Sequence, residues 1–307
     1  MNRRTPSEFR DAIRKVRKLY STPEVLAKVL RLLQKPDVDL EDVGVVIKND
    51  SALVADLIRL SNSALFSRGG GCVDLQLALQ RLGMQQVIRA VELSLSKNVF
   101  GKGLSNYGIS VEQYWRTSVL AALLMEQLAT IHGVDAPEAY TIGLLQSMGR
   151  VLINEVLEEV KCPAHWERTV SLETWEVHQV GFTHAEAGAL LLREWGFPAS
   201  LVAPIEHQLG APTAVPAQTT AGMLRFVRIL LAADPIATTH PNPPAFPPDL
   251  LGWSGFASEE EALSLLVEAQ GQLAKIAEGL GMATPPTSDP NSATTTTTTT
   301  TPPAASA

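Results

Sequence analysis

The sequence is poor in the features that mark secreted and membrane-spanning proteins. Its 307 residues include two cysteines, Cys72 and Cys162, which form neither a close pair nor a metal-binding spacing. Isolated cysteines in a long chain are typical of a reducing compartment. No apolar run approaches the roughly 18 residues that a membrane-spanning helix needs, and the charged N-terminus lacks the apolar segment of a signal peptide. We therefore expect a cytoplasmic protein with no membrane association.

Positive charge is also scarce. The formal net charge is −7 and the isoelectric point is about 5.4. Basic residues cluster only near the N-terminus: Arg3, Arg4, Arg10, Arg14, Lys15, Arg17 and Lys18. Because phosphate contacts need clustered Lys and Arg, this balance argues against nucleic-acid binding. We expect the basic run to be a solvated helix face, with a nucleic-acid or membrane patch as the alternative.

Several common catalytic signatures are missing. The sequence contains no Gly-x-Ser-x-Gly nucleophile elbow and no glycine-rich loop that ends in Gly-Lys-Ser or Gly-Lys-Thr. The glycines at 69–71 lack the following helix and lysine that phosphate binding requires. Cys162 precedes Pro163 and has no identifiable activating partner, so we expect it to be incidental or structural.

Apolar residues at helical spacing run along most of the chain. Hydrophobic residues make up 45% and charged residues 19%, which is ordinary for a globular core. The spacing of apolar residues from Val25 to Leu33 predicts a helix with Thr22 as N-cap and Pro23 at its first position, which Pro36 ends. Asp39 is the expected cap of a second helix, and Gly83 predicts a break between two later ones. Strand signals are weak, so we expect an all-α helical bundle.

The same spacing continues into the second half. It predicts a long helix that contains Tyr114, a helix over residues 139–160, another that starts near Thr183 and a final amphipathic helix over about residues 259–280. The apolar face of the final helix is expected to pack onto the core, although packing across a dimer is the alternative and the oligomeric state is open. The members of that face are Leu263, Leu266, Val267, Leu273, Ile276 and Leu280.

One segment near the N-terminus carries a family resemblance. Residues 49–66 contain Asp50-Ser51-Ala52-Leu53, then an apolar helix, then Asn62-Ser63-Ala64. This arrangement resembles the HDOD family, the HD-related output domains of bacterial signalling proteins, which show an Asp-Pro-Ala-Leu start and a later Asn-Ser-Ala. Ser51 replaces the usual proline. The segments 22–25 and 78–83 fit two further landmarks, and the similarity runs from about residue 15 to about residue 236.

A second segment resembles the signature helix of the HD superfamily of metal-dependent phosphohydrolases. In that helix, Gly-Leu-Leu is followed by adjacent His and Asp, which hold a divalent metal. Here Gly143-Leu144-Leu145 is followed by Gln146 and Ser147. An amide and a hydroxyl are weak ligands for a divalent cation compared with imidazole and carboxylate. The resemblance therefore implies a catalytic frame without its central ligands.

The resemblance places the remaining ligand positions as well. Thr117 stands where the family's first His is expected, so that ligand is lost. His184, His207 and Asp234 match later positions and are residual ligand-type residues. Together they could in principle bind a transition metal. We expect them instead to be polar remnants inside the helical core or a small cleft, with no metal, no cofactor and no catalytic residue.

Asp50, Asn62 and Ser63 are the polar residues of the family motif near the N-terminus. An Asn near a helix end can satisfy free carbonyls or fix a turn. We expect these residues to be structural, with contact to the second lobe or to a partner as the alternative.

The resemblance also implies a domain organisation with two helical lobes. We expect an N-terminal extension over residues 1–14 and an HDOD-type helical region over residues 15–282, followed by a disordered Thr/Pro-rich tail over residues 283–307. The helical region divides into an HDOD-specific N-terminal lobe (15–103), an HD-like lobe (104–236), and a Pro-rich loop with the final helix (237–282).

Three functions are open at this point. The first is a non-catalytic bacterial signalling module that binds a signalling protein or a small ligand, with the groove between the lobes as the natural surface. Because no receiver, cyclase or kinase domain is found in the sequence, its input is expected from a separate partner. The second is a divergent metal-dependent phosphohydrolase that uses His184, His207 and Asp234. The third is a nucleic-acid-binding regulator that uses the basic N-terminus. The first is the interpretation we favour.

Overall fold

The expectation of an all-α fold is confirmed by the computed structural model. It describes residues 23–33, 35, 37–63, 66, 71–99, 103–209, 220–232 and 246–279. Apart from one isolated bridge between Leu104 and Ile109, regular structure in these ranges is helical. None of the described helices is both long enough and apolar enough to cross a bilayer. Thr22, the basic N-terminal cluster, Asp234 and the Thr-rich tail lie outside the described residues.

Four helices form the N-terminal lobe, and their starts follow local cap chemistry. They are α1 (Pro23–Leu33), α2 (Leu40–Ile47), α3 (Ser51–Ser61) and α4 (Leu75–Val99). Asp39 caps α2 as predicted, because its carboxylate accepts hydrogen bonds from the backbone N–H groups of Glu41 and Asp42, both at 2.9 Å. The predicted break at Gly83 is also confirmed. This glycine has a φ of 71° inside α4, and an L side chain rarely adopts that conformation.

A short 3₁₀ turn, Ser105–Tyr107, leads into the second lobe. The helices of this lobe are α5 (Val111–His132), α6 (Ala136–Leu145), α7 (Met148–Glu159), α8 (Leu172–Val180), α9 (His184–Glu194), α10 (Ala199–His207) and α11 (Thr220–Ala232). Helix α12 (Pro248–Ser254) and the final helix α13 (Glu259–Gly279) follow it in the chain. Helix α9 begins where it was predicted. Thr183 and Glu186 form a reciprocal capping box at its first turn.

The prediction of one helix over residues 139–160 is wrong. The structure ends α6 at Leu145 and begins α7 at Met148, with Gln146 and Ser147 between them. The Gln146 carbonyl accepts a 2.9 Å hydrogen bond from the Gln208 side chain, and the Ser147 carbonyl accepts one of 3.0 Å from the Tyr114 hydroxyl. Both carbonyls therefore have partners from other helices, which makes the interruption possible inside the core.

Helix α5 is the centre of the second lobe. Its residues 119–125 are all buried, and α4, α6, α11 and α13 pack against it. A helix that is apolar on all sides is stable only inside a core. The final helix packs onto α5, as expected, through Leu266 and Leu273 among others. Val267 was assigned to the same face but is 67% exposed, because it lies at the edge of the buried stripe.

The tightest crossing in the second lobe joins α7 and α9 at two glycines. A Cβ atom on Gly149 would collide with the backbone carbonyl oxygen of His184 and would lie 2.6 Å from the backbone nitrogen of Gly188. A Cβ on Gly188 would lie 3.1 Å from the Gly149 nitrogen. Because the obstructing atoms are backbone, neither helix can make room by changing a rotamer. The absence of a side chain at Gly149 therefore sets the separation of these helices.

Gly149→Ala should destabilise the protein strongly, by at least about 3 kcal/mol, because the added methyl group requires the two helix backbones to separate. Gly271→Ala in α13 is the matched control. A Cβ there meets no atom, so the better helix propensity of Ala should stabilise that variant by up to about 1 kcal/mol. Urea unfolding followed by circular dichroism measures both. Equal stability of the two variants would contradict the crossing.

Candidate functional site

A fully buried, hydrogen-bonded pair of a histidine and a glutamate lies beside the glycine crossing. His184, the first residue of α9, and Glu176 on α8 are both 0% exposed. The Glu176 carboxylate accepts a 2.8 Å hydrogen bond from the backbone N–H of His184 and a second, also 2.8 Å, from its ring Nδ1. The Tyr107 hydroxyl donates a third at 3.0 Å. Glu176 thus joins the 3₁₀ turn, α8 and α9 at one buried point.

The residues that replace the central ligands lie in the same region. Gln146 and Ser147 are 2% and 1% exposed. Gln208 bonds to the Gln146 carbonyl, and Tyr114 bonds to the Ser147 carbonyl, while the Ser147 hydroxyl donates to the Tyr114 oxygen at 3.3 Å. We call the following residues the buried polar cluster: Tyr107, Tyr114, Gln146, Ser147, Arg150, Glu176, His184 and Gln208.

The burial of His184 favours its neutral form. Burial lowers the pKa of the His184 imidazole; Glu176 opposes this shift, and the positive charges of Arg150 and Arg228 add to it. A neutral ring that donates Nδ1–H to Glu176 keeps a lone pair on Nε2. This Nε2 atom is buried and has no hydrogen-bond partner in the described part of the chain. The same is true of Arg150 Nε and of the side-chain oxygens of Gln146 and Gln208.

The residues of this cluster do not fit a divalent cation. An imidazole whose Nδ1 is held by a carboxylate is the usual arrangement of a metal-binding histidine. Its neighbours, however, supply amide and hydroxyl oxygens and the cation of Arg150, which would repel a metal. Within the described ranges, no group of three or more His, Cys, Asp or Glu side chains is arranged to hold a metal ion. Thr117 lies on α5, where its hydroxyl donates to the Gln113 carbonyl at 2.7 Å.

The two described residual ligand-type residues, His184 and His207, have different surroundings. His207 is exposed at the end of α10, and its Nδ1 donates to the carbonyl of Ala203 in the same helix at 2.8 Å. His184 is fully buried and bonds to Glu176 instead. Asp234 is outside the described residues. The described pair thus shares no hydrogen-bond partner.

The polar residues of the N-terminal motif organise the ends of α3. Asp50 caps the helix, since its carboxylate accepts from the Leu53 N–H at 3.0 Å. Asn62 ends it and reaches across to residue 72. Its Nδ2 donates to the carbonyls of Ile58 and Cys72, and its Oδ1 accepts from the Cys72 N–H at 2.8 Å. These contacts close the loop between α3 and α4 over ten residues of sequence.

Ser63 differs from its neighbour because it faces a cleft between the lobes. Its hydroxyl oxygen is buried without a partner among the described residues. This interlobe cleft has a volume of about 500 Å³. It lies between α3 and α4 of the first lobe, α5 and α6 of the second, and the final helix α13. Its apolar lining is Leu60, Phe66, Ala90, Leu93, Leu123 and Ile276.

Polar side chains complete the lining of the interlobe cleft. They are Ser63, Gln86, Arg89, Glu126, Tyr140, Gln272 and Lys275. Arg89 on α4 forms an ion pair with Glu126 on α5, and its guanidinium carbon lies 5.3 Å from the centre of the Tyr140 ring. Apolar walls with a few placed polar groups are typical of small-molecule sites, whose volumes run from about 300 to 1,000 Å³.

A buried acid lies behind the wall that Arg89 and Tyr140 form. Glu92 is 1% exposed, and burial raises its pKa to about 8 despite the opposing effects of Thr141 and Arg89. The Thr141 hydroxyl lies within hydrogen-bonding reach of both Glu92 and the Pro137 carbonyl. The Thr141 hydroxyl donates to the Glu92 carboxyl, and this contact links α4 to α6. Burial favours the neutral form of Glu92 because it raises the pKa of the carboxyl.

The sequence reasoning missed Glu176, Arg150 and Glu92. Each is a charged residue between apolar neighbours, which is a weak signal of a buried, paired charge. The hydrogen-bond partners of Glu176 are 8 and 69 residues away in the chain, and Thr141 is 49 residues from Glu92. Spacing along one helix could not identify those partners.

Glu176→Ala should lower the free energy of unfolding by roughly 3–5 kcal/mol, because it leaves the Tyr107 hydroxyl and two His184 donors without an acceptor in the core. Glu173→Ala is the matched control. Glu173 pairs with Arg228 at the surface, where its side chain is 31% exposed, so its loss should cost at most about 1 kcal/mol. Denaturant unfolding measures both, and similar losses would contradict the role of Glu176.

Glu92→Gln should stabilise the protein increasingly as pH rises. An acid whose pKa is raised on folding, here from 4.5 to about 8, takes up a proton when the chain folds, so its favourable contribution is lost as pH rises through about 8. The difference in unfolding free energy between variant and wild type should widen by up to about 1.4 kcal/mol per pH unit as pH rises from about 4.5 to about 8. Unfolding measured at several pH values tests this. The exposed Glu194→Gln serves as control, and a gap independent of pH would contradict the buried neutral state.

Comparisons with known proteins agree with the fold. The structure is similar to an HDOD domain protein of unknown function from Geobacter sulfurreducens, with a TM-score of 0.62 and 18% identity over 88% of this chain and 97% of that one. A protein from Marinobacter aquaeolei VT8, provisionally named a signal transduction protein, gives a TM-score of 0.64 and 19% identity over 92% of this chain and 67% of that one. A protein from Shewanella amazonensis SB2B, provisionally named a phosphohydrolase, gives a TM-score of 0.60 and 24% identity over 88% of this chain and 97% of that one.

Sequence comparison is more specific. An uncharacterized protein of Treponema pallidum (strain Nichols) is 28% identical over 197 residues, which are 62% of this chain. The matched region is 38% of that relative's length. The model of the HDOD domain matches residues 19–210, which is more than half of the sequence. The chain therefore belongs to the HDOD domain family.

Proposed function

We propose that the protein is a non-catalytic regulatory module of bacterial signal transduction, which binds a protein partner or a small ligand through its helical scaffold. One observation supports this most directly. The positions expected to hold a metal, Thr117, Gln146 and Ser147, carry neutral side chains. The Thr117 hydroxyl donates to the Gln113 carbonyl, and the Ser147 hydroxyl donates to the Tyr114 oxygen. A metal-dependent phosphohydrolase needs a bound cation to polarise the phosphate and to activate water. With neutral side chains at these positions, the interlobe cleft and the protein surface are the parts of the chain that can bind a ligand or a partner.

The comparisons favour the same function. Membership of the HDOD family supports a regulatory relative of the HD superfamily, and one structural neighbour is provisionally named a signal transduction protein. We infer a cytoplasmic location from the two free cysteines, and we assign no cofactor. The expected partner is a signalling protein. The acidic net charge gives no support to a nucleic-acid partner.

A divergent phosphohydrolase is the second candidate, and one feature of the site favours it. The Nδ1–carboxylate contact of His184 leaves Nε2 with a free lone pair, as in metal-binding histidines. One structural neighbour is provisionally named a phosphohydrolase. In this function His184, His207 and Asp234 would need to converge on one cation.

Metal content of the purified chain separates these candidates. After expression with added manganese and iron, plasma mass spectrometry should find no metal above background, and bis(4-nitrophenyl) phosphate should not be hydrolysed. About one metal per chain, lost in His207→Ala but retained in the exposed control His178→Ala, would overturn the non-catalytic assignment.

A further inference from the structure

The interlobe cleft has the chemistry of a site for a small charged molecule. We propose that it binds an organic anion with an apolar body, such as a carboxylate or sulfonate on an alkyl or aromatic frame. This assignment rests on the proposed function, because it gives the regulatory module its ligand class. The cleft is about 500 Å³ in volume and has apolar residues from both lobes and the final helix on its walls. That volume and lining suit a molecule with a substantial apolar body.

Two hydroxyls in the lining call for a polar group on the ligand. The oxygens of Ser63 and Tyr140 are both buried, and neither has a hydrogen-bond partner among the described residues. Burying a hydroxyl without a partner costs roughly 1–3 kcal/mol, so such groups in a cleft wall are usually bonded by what occupies the cleft. Ser63 comes from the first lobe and Tyr140 from α6 of the second. A ligand that accepts hydrogen bonds from both hydroxyls would contact both lobes.

The charges of the cleft select an anion. Three charged residues line it: Arg89, Glu126 and Lys275. Glu126 is already paired with Arg89, whereas Lys275 forms no ion pair with any described residue. The lining therefore carries two cations and one anion, an excess of one positive charge. The whole chain has a net charge of −7, so the positive charge of the cleft is opposite in sign to that of the protein as a whole. A ligand with one negative charge complements it.

A ligand in this position would contact three separate parts of the chain. Ser63 and Arg89 belong to the N-terminal lobe, Tyr140 to the HD-like lobe and Lys275 to the final helix. A molecule that contacts all three favours whichever arrangement of these parts brings its partners together. Binding would thereby stabilise one relative position of the lobes, which is the kind of change that a regulatory module can transmit to a partner.

Titration of the full-length chain with 8-anilinonaphthalene-1-sulfonate, a fluorescent apolar anion, tests this. We expect saturable binding of about one probe per chain, displaced by decanoate and much less by uncharged decan-1-ol. Lys275→Glu reverses the unpaired charge on the exposed rim and should weaken binding roughly tenfold. The matched control is Lys28→Glu, the same change at an exposed residue of α1 that does not line the cleft. It should leave the affinity for the probe unchanged. Tyr140→Phe keeps the ring and should weaken binding through loss of the hydroxyl.

Absence of saturable binding would overturn the proposal, and so would equal affinities of the Lys275→Glu and Lys28→Glu variants. Equal displacement by decanoate and decan-1-ol would show an apolar site without anion selectivity, which also contradicts it. These outcomes leave the metal measurement untouched. A metal-free protein that fails to bind the probe keeps its regulatory assignment and loses this ligand class. If the protein contains a metal and binds the probe in the expected way, the non-catalytic regulatory function is wrong but the ligand class stands.

Discussion

The close crossing of α7 and α9 at Gly149 is the constraint on which the buried site depends. With no side chain on Gly149, the first turn of α9 approaches the backbone of α7 directly, and His184 is held at the level of Ser147 and Arg150. Glu176 then fixes the imidazole from the opposite side. In an HD enzyme such proximity would serve a metal. Here the region contains an imidazole, an amide, a hydroxyl and a guanidinium, and Glu176 joins α8 to α9.

Much of the fold could be predicted from the sequence because its signals are local. Helical spacing, the Asp39 cap and the Gly83 break each depend on a few adjacent residues, and all are present in the structure. The interruption at Gln146 and Ser147 was missed because its cause is not local: the carbonyls are bonded by Gln208 and Tyr114, which are 62 and 33 residues away. The Glu176 and Glu92 contacts were missed for the same reason. The roles of His184, His207 and Asp234 stay predictions.

The buried polar cluster and the interlobe cleft lie in different parts of the structure. The buried polar cluster lies inside the second lobe, where the hydrogen bonds of Glu176 join the 3₁₀ turn, α8 and α9. The interlobe cleft lies where both lobes and the final helix meet, with Glu92 and Thr141 joining α4 to α6 behind its wall. An apolar cleft with a few placed polar groups is typical of small-molecule sites.

The central claim is that the side chains of the buried polar cluster do not bind a divalent cation. Thermal unfolding of the full-length chain, measured with excess EDTA and then with millimolar manganese, tests it most directly. A cation bound to the native state would stabilise it by about 2.7 kcal/mol at a hundredfold excess over its Kd, which corresponds to a rise in Tm of roughly 5 °C or more. The account predicts the same Tm in both conditions. A rise of that size with manganese, reversed by EDTA and abolished by His184→Ala, would contradict it.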